Sequence, residues 1–333
     1  MSDFEVSDKS FVSPILASDS SDEKVQPALS ELSERDKPWD KHKAESDRIE
    51  KHYQDTEFDR YSERIHFCSE FLDFILASKD NDKDDGEKRL KLKSARFCRV
   101  RTCMVCCWRK SLRWKAKTYQ ALPRFLEDYP AYRFLFLTLT VKNCEIWELR
   151  TTLDWMSKGF TRLTRLKVFP GQGWVKSVEV TRGKKGDAHP HFHVLLGVKA
   201  SYFGRDYLSQ KKWCALWQKS LRCDYQPVLD VQALKSKDSL IGLIAEVVKY
   251  QTKPSTFTHL QGQQDKEWFL EYTRQIHGTK AISVGGIFRD YFKALEKEPE
   301  DLIGHDSETE DTDIDDVHLL FEWKRREKKY RLT

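Results

Sequence analysis

The chain is 333 residues long, 39% hydrophobic and 33% charged, with a formal net charge of +5. At roughly 100–200 residues per domain this predicts two or three domains, and the lack of any run of about 18 apolar residues excludes a membrane-spanning helix. The stretch Met1 to Ser10 does not read as a secretory signal, so the eight cysteines point to a reducing, cytoplasmic setting where thiols bind metal or fill cores.

The charge is unevenly spread. Residues 1–60 carry −7, 296–316 carry −10 and 317–333 carry +4, which leaves +18 on residues 61–295. A basic body between acidic ends predicts a polyanionic partner, most simply nucleic acid. Residues 1–60 read as an acidic, mostly disordered tail with a polar helix near Lys41–Gln54. Residues 61–120 form a basic, cysteine-rich segment interrupted by a solvated loop at Lys79–Glu87. Residues 121–295 read as an α+β domain, and 296–333 as an acidic then basic C-terminal tail.

Within that domain, Phe134–Val141 alternates as a half-buried strand should. Glu145–Leu166 has helical spacing, Trp174–Thr181 is a second strand, Gly183–Ala188 a turn, and His191–Val198 a third strand. Helices are expected at Tyr207–Leu221 and Ser239–Gln251. This order predicts a sheet covered by helices on one face.

Three groups of residues carry chemistry. In His189-Pro190-His191-Phe192-His193, side chains two apart share a strand face, so His191 and His193 project together and can hold one divalent cation. A hairpin through Gly183–Gly186 brings Glu179 beside them as a third ligand, with His189 as the alternative; two imidazoles and a carboxylate leave open positions for Lewis-acid chemistry. Glu246 and Tyr250 lie one helical turn apart, with Lys253 a turn further. Against a phosphodiester held by a metal, the Tyr250 phenol can attack phosphorus, Glu246 can activate water, and Lys253 can hold a phosphate. Cys98, Cys103 and Cys106 have metal-ligand spacing, and Cys68 is the expected fourth zinc ligand, with Cys107 and His66 as alternatives.

FLTLT (Phe136–Thr140), HPHFHVLL (His189–Leu196) and EVVKYQTKPS (Glu246–Ser255) occur in this order. Together with Phe97–Pro123 and Ile276–Phe292, they resemble the rolling-circle replication initiator (Rep) proteins of small bacterial plasmids, in the HUH endonuclease superfamily. The resemblance covers roughly residues 60–295. It implies a sheet of about five antiparallel strands with helices on one face, and magnesium or manganese at His191 and His193. Glu179 stands where related nucleases place an acidic ligand, Tyr250 matches the single nucleophilic tyrosine, and Glu246 matches the glutamate that activates water at termination. The resemblance also implies nicking of a supercoiled plasmid origin, a 5′-phosphotyrosyl link, and a 3′-OH handed to a host DNA polymerase. The chain departs from the pattern at Met104, where proline is usual, and in its extra Cys107. It lacks an ATPase signature, so strand separation would need a host helicase or a hairpin extruded by supercoiling. A dimer on the origin is a further expectation. The competing readings are a relaxase or transposase of the same chemistry, and a non-catalytic zinc-containing DNA-binding regulator.

Overall fold

The computed structural model describes residues 26–78, 88–234, 262–295 and 317–333. In chain order it begins with α1 (Leu29–Leu32), α2 (Pro38–Tyr53), α3 (Asp59–His66), β1 (Phe71–Ser78), β2 (Lys88–Ala95) and the long α4 (Met104–Asp128). It continues through β3 (Arg133–Thr140), α5 (Leu149–Thr164), β4 (Gly171–Arg182), β5 (Ala188–Val198), α6 (Gln210–Leu221) and β6 (Leu229–Ala233). Then come α7 (Gly262–Ile276), β7 (Ile282–Gly286), α8 (Phe288–Ala294), β8 (His318–Lys324) and β9 (Lys329–Leu332). The chain divides into two compact units, Met1–Val105 with Glu300–Thr333, and Cys106–Pro299.

The first unit is a four-stranded antiparallel sheet in the order β2-β1-β8-β9. Leu72 and Phe74 of β1, Phe321 and Trp323 of β8, and Tyr330 of β9 are buried together with Trp39, Ile49 and Tyr53. The polar composition of the N-terminal stretch hides this core. Trp39 meets Tyr330 edge-on, the Trp323 indole donates to Asp47, and the Lys43 ammonium, fully buried, donates to the carbonyls of Ile65 and His66.

Both tail expectations therefore need correction where the structure describes those residues. From residue 28 the supposed acidic tail is helical and packed, and residues 318–332 are two strands of the same sheet. The partners come from opposite ends of the chain, as in the half-buried Arg325 bound to Asp47 at 2.7 Å. Composition in a local window cannot register such pairings, because a charge counts as solvated until its distant partner is known.

The second unit is a five-stranded antiparallel sheet in the order β6-β3-β5-β4-β7, as expected for the α+β class. The strands and helices read from periodicity are present within a few residues, except for Ser239–Gln251, which lies outside the described residues. Strand alternation divides the sheet into two faces. On one, Phe192 and Trp174 meet Phe160 of α5, and Trp217 of α6 donates its indole N–H to the Thr140 carbonyl. Gly159 lets these two helices approach: a Cβ there would stand 2.9 Å from Leu221.

The other face carries Phe134, Phe136, Val175 and Leu195, packed on Ala121, Leu122 and Phe125 of α4 and on Phe288 and Phe292 of α8. Helices therefore pack on both faces and not on one as expected, because both faces of the central strands are apolar. Phe288 fills a notch made by two glycines; a Cβ on Gly173 or Gly197 would stand 2.5 or 2.6 Å from its ring. Burying such a ring contributes about 1.5–3 kcal/mol. This packing covers one end of the face. Toward the other end, the same alternation brings up His193, His191 and their neighbours.

Candidate functional site

β5 is the middle strand of the five, paired with β3 on one side and β4 on the other. The β4–β5 register sets Glu179 directly opposite His191 and Ser177 opposite His193, while the β3–β5 register sets Thr138 opposite His193 and Thr140 opposite His191. Directly opposite residues point to the same side of an antiparallel pair. The backbone ladder alone therefore delivers two imidazoles, one carboxylate and two threonine hydroxyls to one face.

The three strongest donors converge. Glu179 Oε2 lies 3.0 Å from His193 Nε2 and 3.3 Å from His191 Nε2, and all three side chains are buried. Their ligand atoms lie within 4.8 Å of one another. His191 turns its Nδ1 to the His189 carbonyl at 3.3 Å. A carbonyl only accepts, so in the neutral ring the proton sits on Nδ1 and Nε2 presents a lone pair toward Glu179. Two acceptors facing one point repel each other unless a cation or a proton lies between them. The donor set and its outer hydrogen bonds thus fit a divalent cation. His193 is held from outside by Thr138 Oγ1 at 3.3 Å from Nδ1, and by Phe136 stacked at 5.5 Å.

Of the two third-ligand alternatives, the structure brings Glu179 into the cluster. His189 stands beside it, its ring 5.2 Å from that of His191 and its Nδ1 2.7 Å from Asn143 Oδ1. Asn143 in turn donates to Asp187 at 2.8 Å. Burial, and then the neighbouring His191, hold the His189 imidazole below its ordinary range. The reading from sequence missed Asn143, Asp187, Thr138 and Thr140. The Leu/Thr alternation of β3 was the available signal for the two threonines. Tyr250, Glu246 and Lys253 lie outside the described residues.

A second cluster gathers Cys68, Cys98, Cys103 and Cys106, with sulfur atoms within 4.8 Å of one another. None is in a disulfide. Cys68 and Cys103 are 3.6 Å apart, close to the ~3.8 Å edge of a tetrahedron whose centre is bonded to sulfur at ~2.3 Å. Backbone N–H groups of Cys98 and Val100 point at the sulfurs of Cys68 and Cys98, both at 3.4 Å. Donors aimed at sulfur favour thiolates, so this set fits zinc. Cys107 falls outside the four, and His66 turns its Nδ1 to Glu50 at 3.0 Å. Met104 opens α4, the one helical position where proline also fits, so methionine there leaves the turn intact.

Residues 89–331 match the family described as "Replication protein". The "Protein rep" of Lentilactobacillus hilgardii is 30% identical over 308 residues, covering 89% of this chain and 95% of that protein. The "Protein rep" of Streptococcus pneumoniae serotype 2 is 35% identical over 241 residues, or 70% of this chain and 72% of that protein. That of Lactiplantibacillus plantarum is 34% identical over 273 residues, 79% and 83% respectively. No solved structure matches the chain.

Proposed function

The chain belongs to the replication-protein family, and on that premise we propose that it initiates rolling-circle replication of a plasmid by nicking one strand of the origin. The observation that carries this reading is the convergence of His191, His193 and Glu179 on one sheet face. In it, Cys106–Pro299 is the nuclease unit, working in the bacterial cytoplasm on single-stranded and supercoiled origin DNA.

His191, His193 and Glu179 hold magnesium or manganese, which when bound neutralises the non-bridging oxygens of the scissile phosphodiester. Tyr250 supplies the nucleophile. Its phenolic oxygen bonds to phosphorus as the bond to the 3′-oxygen breaks, and the phenol proton ends on that released oxygen. The products are a 5′-phosphotyrosyl link and a free 3′-OH, which a host polymerase extends behind a host helicase. Glu246 takes a proton from water, or the new 3′-OH attacks the tyrosyl link, at termination. Lys253 holds a phosphate beside the leaving group. Cys68, Cys98, Cys103 and Cys106 hold a structural zinc that fastens the basic segment, and two copies act together at the origin.

The test uses single-stranded origin fragments labelled at the 5′ or the 3′ end, incubated with and without manganese and resolved on a denaturing gel. Manganese-dependent cleavage is expected, with the fragment 3′ of the cut attached to protein, and Tyr250→Phe or His191→Ala should remove both signals. Binding with no cut or adduct on any candidate origin would move the assignment to a zinc-containing DNA-binding regulator.

A further inference from the structure

The four-stranded sheet of the first unit has a buried face and an open one. Leu72, Phe74, Phe321, Trp323 and Tyr330 alternate into the core. Register then places Phe71, Asp73 and Ile75 of β1 on the opposite face, which is covered at Ile75 and open at Phe71. They share it with Arg89 and Lys91 of β2, His318, Leu320, Glu322 and Lys324 of β8, and Lys329 and Arg331 of β9.

Two features of this face bear on what it can bind. Phe71 and Leu320, on the two central strands, are 47% and 42% exposed, although each is a large apolar side chain at a diagonal position across the β1–β8 pair. The second is charge. Of its five lysines and arginines, Lys324 pairs with Glu322, Lys329 with Glu31, and Arg331 with Glu31 and Glu327. Asp73 lies 2.9 Å from His318 Nδ1, and Glu322 lies 2.5 Å from Lys324 Nζ. Arg89 and Lys91 are exposed on the outer strand beside them. At the other end of the β1–β2 pair, beside Phe71, Arg96 lies over the ring of Phe67, itself 38% exposed.

We propose that the open face of this sheet, centred on Phe71 and Leu320 and edged by Arg89 and Lys91, binds single-stranded DNA. An exposed ring on a sheet face stacks on bases, whose π-faces a duplex keeps covered, an apolar neighbour such as Leu320 widens the contact, and flanking cations meet the phosphates. The choice of nucleic acid as partner rests on the reading of the chain as an origin-nicking initiator. The platform shares no residue with the Glu179–His191–His193 cluster, so it grips strand and does not cut it.

The experiment measures fluorescence anisotropy of the full-length protein with a labelled single-stranded origin fragment and with its duplex, in EDTA, across a salt series. Phe71→Ala should weaken single-strand binding about tenfold and leave duplex binding nearly unchanged. Phe71→Trp should keep wild-type affinity, which separates stacking from damage to the fold. The double variant Arg89→Glu, Lys91→Glu should lower the slope of log affinity against log salt by about 0.7 for each phosphate that is no longer neutralised. Wild-type affinity in both Phe71→Ala and the double variant would overturn the proposal, as would equal losses on single strand and duplex. Cleavage by the same proteins with manganese is read in parallel. If wild type fails to cut but Phe71→Ala still loses single-strand affinity, the nicking assignment falls and the platform stands.

Discussion

The Glu179–His191–His193 cluster and the four-cysteine cluster gather comparable numbers of ligands by opposite means. The first is built on adjacent strands, where hydrogen-bonded register sets every side chain before any ion arrives. The second draws Cys68 from the end of α3, Cys98 and Cys103 from the irregular segment after β2, and Cys106 from the first turn of α4. Nothing periodic holds those four together, and the segment around them carries Arg96, Arg99 and Arg101, whose like charges oppose compaction. A ladder preorganises its site; on the proposed reading the loops of the cysteine cluster are closed by zinc.

The contrast breaks most visibly at the cysteines. If the cysteines hold zinc as proposed, Cys103→Ser should release about one zinc per chain, read by atomic emission, and lower Tm by about 10 °C or more. An unchanged Tm would mean the segment folds without its ion. At the strand-built cluster the effects should separate. His193→Ala should lower manganese-dependent cleavage by about a thousandfold or more, while moving Tm by only a few degrees. A collapse of the fold there would show that ladder geometry is insufficient.

Lys176 tests the same strands from the opposite face. It is buried, with its ammonium 3.8 Å from the centre of the Phe192 ring, and burial lowers its pKa from the ordinary 10.5 to about 8. The unfolded chain therefore holds this proton more tightly than the folded one. Below pH 8 the fold bears the full cost of the buried charge, and stability rises as pH climbs from about 8 toward 10.5. Lys176→Met should stabilise at pH 7 by about 1–3 kcal/mol, with the advantage fading above about pH 10, as followed by urea denaturation. A constant advantage at every pH would assign the gain to packing. The smallest effect is expected for Thr138→Val, which removes the hydroxyl beside His193 Nδ1. It should weaken manganese binding by roughly tenfold and leave Tm nearly unchanged.

Much of the second unit was legible in the chain. Alternation in Phe134–Val141 and His191–Val198, and helical spacing in Glu145–Leu166, mark elements whose pattern is local. The His191/His193 pair was legible for the same reason, since two residues of one strand share a face whatever the tertiary fold. Glu179 against His189 was a different question. It depended on the register between two strands, which the Gly183–Gly186 turn permits and only the ladder settles. The first unit was the harder region. Its core pairs Trp39 with Tyr330, and a half-buried ion pair at its border joins Asp47 to Arg325, almost the full length of the chain apart, so each end taken alone has the composition of a tail.

Sequence by itself determined the α+β class, the strand carrying the histidines, the cysteine spacing and the family motifs. Each depends on residues within about one element of each other, where side-chain direction follows from backbone period. Tertiary structure alone decided that the two ends close one sheet, that Phe288 seats on Gly173 and Gly197, and which carboxylate faces the histidines. Those pairings join distant segments, and their energy comes from desolvating partners that no local window contains.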